Sequence, residues 1–227
     1  MTLSLSFRTL AYGAMRLGRN LAFTALLPVS AAFAEEPVRI LALGDSLTAG
    51  YGLSDLEGLV PQMNVWMKAQ GHPYTLVNAG VSGDTSAGGL SRLAWSLEDG
   101  IGAMMVILGG NDLLRGLPPE VTRANIAAIL TEAQTRGLPV LLVGMEAPGN
   151  FGPDYKQKFD GLYPELAAEF GALYEKSFFR LIDPEAADPG AIADFMQADG
   201  IHPNAEGVRV IVEKLGPRLV ELAARVE

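Results

Sequence analysis

Four short apolar runs constrain the fold of this chain more than any other feature: residues 38–43, 74–77, 104–108 and 140–143. Each is rich in Val, Ile or Leu and lacks polar alternation, as expected of parallel strands buried on both faces. Helix-like segments separate them. In "PPEVTRANIAAILTEAQTRGLP", residues 118–139, the apolar residues Ile126, Ile129, Leu130 and Ala133 fall at i, i+3, i+4 and i+7. Pro119 suits the first turn of such a helix and Gly137 its C-terminal cap. Residues 155–170 read as a further helix. Val208, Ile211, Val212, Leu215 and Leu219 form a last apolar stripe, with a kink expected at Pro217. Strands alternating with helices predict an α/β fold of three layers, α/β/α, around a central parallel sheet. No internal repeat or low-complexity linker interrupts residues 35–227, so one domain is expected there.

The first 34 residues read differently. They contain Arg8, Arg16 and Arg19 and no acidic residue, then the apolar stretch "LAFTALLPVSAAFA" ending in Ala32-Phe33-Ala34. This is the pattern of a secretory signal peptide cleaved before Glu35, and it predicts export with no stable membrane span after processing; an uncleaved anchor and an amphipathic terminal helix are the other readings. The apolar run is short for a span and Pro28 interrupts it. Losing those three arginines changes the formal net charge from −9 to −12. An acidic surface of that size disfavours nucleic acid and anionic membranes as partners. The chain has no cysteine, which excludes thiol catalysis and disulfides and suits an oxidising compartment.

Ligands of open parallel sheets bind at the carboxyl ends of the strands. The residues just beyond each apolar run are therefore informative. Gly44-Asp45-Ser46-Leu47 comes after the first, "NAGVSGDTSAGG" (residues 78–89) after the second, and Gly109-Gly110-Asn111-Asp112 after the third; "DGIHPN" (residues 199–204) precedes the last helix. A serine hydroxyl becomes a nucleophile only when a base takes its proton and a partner orients that base. Of the two histidines, His72 is expected to lie in a surface turn at the opposite end of the sheet. His202 stands three residues after Asp199, a spacing that brings a carboxylate to one imidazole nitrogen and leaves the other facing outward. Taken alone, each segment has a second reading: Asp199 and Asn204 as a turn and helix cap, "SGDT" as a helix entry capped by its Asp, "GGND" as a flexible turn. Acyl transfer also needs donors for the developing oxyanion, for which the Ser46 amide, a closely approaching amide at Gly83 and the Asn111 side chain are available.

Four such segments in this order resemble the SGNH hydrolases, also called GDSL esterases and lipases, over nearly all of residues 35–227. The resemblance implies a flavodoxin-like sheet with Ser46 as nucleophile, His202 as general base and acid, and Asp199 as its orienter. The oxyanion hole would be the amides of Ser46 and Gly83 and the side chain of Asn111. "LALGDSLTAGYG", "GGNDLLRGLPP" and "APGNFGPDYKQKF" are most similar to the thioesterase I, lysophospholipase L1 and arylesterase branch, which implies a periplasmic enzyme acting on acyl esters, thioesters or lysophospholipids. By the same resemblance the loop carrying Leu113, Leu114, Arg115 and Leu117 borders the acyl site; within it Arg115 reads first as a solvated loop arginine and second as a contact for an anionic head group. The residues around Ser46, G-x-S-x-T, depart from the elbow of the common α/β-hydrolases. No cofactor and no metal is expected: Asp84, Asp112 and Asp199 lack a second histidine beside them. A monomer is expected. Two other functions fit the same scaffold, a carbohydrate O-acetylesterase and a catalytically silent lipid- or ester-binding protein. For an esterase, activity is expected to rise with pH as His202 loses its proton, an ordinary imidazole pKa being about 6.5.

Overall fold

The computed structural model describes residues 37–185 and 189–226. The predicted signal segment, residues 1–34, lies outside the described residues. A five-stranded parallel sheet, in the order β2-β1-β3-β4-β5, organises the rest: β1 (Val38–Gly44), β2 (Tyr74–Gly80), β3 (Ile101–Ile107), β4 (Val140–Val143) and β5 (Leu173–Glu175). This is the flavodoxin-like order, whose crevice opens between β1 and β3, where successive connections leave in opposite directions. Ile40, Leu41, Met104, Met105, Leu141 and Leu142 of the central strands are almost wholly buried, which explains their unbroken apolar runs.

Helices cover both faces. α2 (Leu59–Ala69) packs against α7 (Ala205–Ala223), while α3 (Ser86–Ser96), α5 (Pro119–Thr135) and α6 (Pro153–Phe170) pack in sequence on one another. Short α1 (Ser46–Ala49) and α4 (Gly110–Leu114) leave the ends of β1 and β3. The stripe Ile126, Ile129, Leu130 and Ala133 of α5 is buried, with Pro119 in its first turn. α7 buries Val208, Ile211, Val212, Leu215 and Leu219 and continues through Pro217 as one helix. Pro217 lies on the exposed side with Glu213, so the carbonyl it leaves unpaired faces water.

Two expectations change, those for the second apolar run and for His72, and one strand was not foreseen. The second apolar run is an edge strand and not one buried on both faces: it extends to Gly80, opposite Gly44, and only Leu76 is fully buried. The fifth strand carries no apolar run of its own, because three residues paired to β4 suffice to extend the sheet. His72 does lie at the amino end of β2, yet it is half-buried between the rings of Trp66 and Tyr74, at centroid distances of 6.3 and 5.6 Å.

Candidate active site

β1 delivers Ser46 to the sheet's carboxyl edge as the first residue of α1. Asp45 caps that helix, its Oδ1 accepting from the Leu47 amide at 3.0 Å. A side chain at Gly44 would put its Cβ 2.0 Å from Thr48 Oγ1, so the close return of α1 over the strand end requires glycine there. Ser46 Oγ lies 2.8 Å from His202 Nε2, and His202 Nδ1 lies 2.7 Å from Asp199 Oδ2. Asp199 Oδ1 accepts from the amides of Ile201 and His202 at 2.9 and 3.0 Å. The His202 contact, helped by those amides, pulls the Asp199 carboxyl down to about 2, so it stays ionised at any ordinary pH. Hydroxyl, imidazole and carboxylate thus form one hydrogen-bonded chain, in which the imidazole can take the serine proton and the carboxylate can stabilise the resulting cation.

The proposed oxyanion donors come from three strand ends: Ser46 beyond β1, and Gly83 and Asn111 beyond the strands on either side of it, β2 and β3. Residues 81–84 form a turn closed by Asp84 N donating to Val81 O at 3.1 Å, with Gly83 at φ +87°, a conformation that favours glycine. Asn111, on α4 beyond β3, donates from Nδ2 to Asp45 Oδ2 at 3.2 Å, and its second Nδ2 proton is free of that bond. Ser46, Gly83, Asn111 and His202 all line one cavity of about 760 Å³. Leu47, Leu113, Leu114, Met145, Phe179 and Ile192 supply apolar walls to it, and Glu146, Lys156 and Arg180 add charge.

A family model described as GDSL-like lipase/acylhydrolase matches residues 42–210. The chain belongs to that family. It is 38% identical to esterase TesA of Pseudomonas aeruginosa over 81% of this chain and 88% of the relative. It is 34% identical to thioesterase 1/protease 1/lysophospholipase L1 of Escherichia coli K12, over 88% of this chain and 90% of the relative. Among solved structures, the psychrotrophic esterase EstA of Pseudoalteromonas sp., inhibited by monoethylphosphonate, superposes with a TM-score of 0.74 at 30% identity, covering 82% of this chain and 98% of that one. This GDSL-like hydrolase is accordingly a serine hydrolase of ester bonds, with the SGNH fold.

The remaining sequence candidates fall in distinct places. Leu113 and Leu114 line the cavity of this GDSL-like chain, the second of them largely exposed at its mouth. Leu117 stands outside the lining and offers its carbonyl to Tyr155 Oη at 2.8 Å. Arg115 also stands outside it, its Nη2 donating to Gly83 O at 2.8 Å. That bond ties the loop after Asn111 to the turn of Gly83. Each acidic residue considered for a metal has another partner: Asp84 pairs with Arg92 at 2.6 Å, Asp112 accepts from Ser86 and Thr122, and Asp199 holds His202. Thr85, not Asp84, caps α3. Among the described residues no group of three His, Asp or Glu is placed to hold a metal ion.

Sequence reasoning passed over Asp45, a buried carboxylate touching both the short helix that Ser46 opens and Asn111. It also passed over Arg92, whose Nη2 donates to Gly44 O at 2.8 Å while its Nε holds Asp84. Only a map of contacts between remote segments reveals either role.

Proposed function

We infer that this hydrolase works through an acyl-enzyme on Ser46. His202 Nε2 takes the proton from Ser46 Oγ as the oxygen attacks the carbonyl carbon of an ester or thioester. The amides of Ser46 and Gly83 and the free Nδ2 proton of Asn111 receive the oxyanion. Collapse expels the alcohol or thiol, which takes the proton from His202. Water then gives a proton to His202 and attacks the acyl carbon; collapse releases the acid and returns the proton to Ser46. The observation that carries this reading is the continuous contact from Ser46 Oγ through both His202 nitrogens to Asp199, 2.8 and 2.7 Å long.

The substrates are acyl esters with medium or long apolar chains, lysophospholipids among them. The cavity's size and its apolar walls support this, as do Tyr51, Leu114, Phe151 and Ile201, which line it while remaining exposed. The names of the relatives, esterase, thioesterase and lysophospholipase, point the same way. A carbohydrate O-acetylesterase would need a small polar acyl site, and this cavity is neither. The place of work is outside the cytoplasm after cleavage near Ala34, on the strength of the basic and apolar pattern of residues 1–34; among the described residues no helix is long and apolar enough to cross a membrane.

The test is hydrolysis of p-nitrophenyl esters from acetate to palmitate by the purified protein, with Ser46→Ala beside it. Turnover that favours medium or long chains and falls by several orders of magnitude in the variant is expected. Cleavage of acetate alone, or a fully active Ser46→Ala, overturns the reading.

A further inference from the structure

The segment carrying Asp199 and His202 is closed on itself. Gln197 N donates to His202 O at 2.8 Å, Asn204 N donates to Phe195 O at 2.8 Å, and Met196 pairs with Pro203 in an isolated antiparallel bridge. This closure accounts for the geometry between Asp199 and His202. It does not account for the distance to Ser46, which is 156 residues away in sequence at the end of a different strand.

The side chain of Gln197 spans that gap. Its Nε2 donates to Tyr51 O at 2.8 Å and to Pro203 O at 3.0 Å. Tyr51 N in turn donates to Ser46 O at 3.1 Å, so the first carbonyl belongs to the turn that ends the nucleophile's helix. The second belongs to the residue after His202. One amide nitrogen therefore uses both its protons on the two sides of the Ser46–His202 contact. Since both acceptors are carbonyls, the nitrogen and not Oε1 must face them. A Cβ at Gly52 would approach Gln197 Oε1 to 2.1 Å, so glycine there leaves room for the amide. The Tyr51 ring adds a contact across the same gap, 4.7 Å from the imidazole centroid.

We propose that Gln197 is a positioning residue for the hydrolysis, its side-chain amide tying the Ser46 turn to the His202 segment and thereby setting the distance from Ser46 Oγ to His202 Nε2. This rests on the reading of Ser46 and His202 as nucleophile and base. Proton transfer needs hydrogen-bond reach, and a displacement of about 1 Å costs on the order of 10²-fold in rate. Methionine at this position keeps the length and volume without a donor. Glutamate turns a carboxylate toward two carbonyl oxygens.

The experiment compares the full chain with Gln197→Met, Gln197→Glu and Ser46→Ala on p-nitrophenyl butyrate, with active sites counted by exhaustive titration with a fluorophosphonate. For Gln197→Met, kcat per titrated site falls about 10- to 100-fold while KM stays within about twofold. The rate of fluorophosphonate inactivation falls by a similar factor, because it needs the same Ser46–His202 contact and no deacylation. Gln197→Glu is at least as impaired. A kcat per titrated site within twofold of the parent in Gln197→Met overturns the proposal, as does a loss confined to the number of titratable sites or to KM. A fully active Ser46→Ala sinks the underlying assignment of the site, whereas an inactive Ser46→Ala beside a fully active Gln197→Met sinks this proposal alone.

Discussion

Asp45 Oδ2 accepts a hydrogen bond from Asn111 Nδ2 at 3.2 Å, across 66 positions of sequence. The residue before Ser46 thus holds the amide of the strand end next door, and it does so from a site only 1% exposed. Fixing one Nδ2 proton on Asp45 leaves the other to be aimed, so in the proposed mechanism the donor is oriented before substrate arrives. Preorganisation of this kind is where a buried hydrogen bond contributes most to rate.

Asn111→Ala removes that donor and is expected to lower kcat by about 10²–10³-fold with little change in KM. Steady-state kinetics on p-nitrophenyl butyrate checks it. A change confined to KM would place Asn111 in ground-state binding instead.

Asp45→Asn tests the buried carboxylate through stability. Burial pushes its carboxyl up to about 6, against the opposing pull of Leu47 N, Asn111 and His202. The folded value lies above the ordinary 3.8, so the stabilisation linked to this group is complete below about pH 4 and is lost as pH rises through about 6. A shift of roughly two units corresponds to about 3 kcal/mol. Urea unfolding of the parent between pH 4 and pH 8 should contain a loss of that order, and Asp45→Asn should lack it. Identical pH slopes in the two proteins would refute this account.

Asp199→Asn keeps the shape of the side chain and removes its charge from His202. A loss in kcat of about 10⁴-fold is expected, the size associated with a mis-set imidazole tautomer. Because the Asp199 carboxyl is held down near 2, its own protonation does not shape the parent's pH–rate profile above about pH 4. Full plateau activity in Asp199→Asn would contradict the expected loss.

Arg115→Ala removes the bond to Gly83 O. Since that guanidinium is engaged with the turn and stands outside the cavity lining, kcat should fall about threefold to tenfold for every substrate. The ratio of rates on lysophosphatidylglycerol and lysophosphatidylcholine should stay within about twofold. A selective loss on the anionic lipid would show instead that Arg115 serves a head group.

Residues 38–43, 104–108 and 140–143 were legible as central strands because strands buried on both faces need apolar side chains on both. The stripe of α5 was legible because its 3.6-residue period is a local property. Ser46, Gly83 and Asn111 were placed at one rim because each follows a strand and parallel strands send all their carboxyl ends the same way, whereas Asp199 and His202 joined them only through the family's order of segments. β5 was not legible, because Leu173–Glu175 is held by pairing with β4 and shows no pattern of its own. Pairing with β1 likewise extended β2 through the polar Asn78 to Gly80. The supporting contacts, Asn111 on Asp45, Arg115 on Gly83 and Gln197 on Tyr51, join residues 66, 32 and 146 positions apart. Local periodicity carries no information about such partners. They are decided when the sheet sets its strand ends side by side, and each polar group there takes whichever donor or acceptor the neighbouring turn presents.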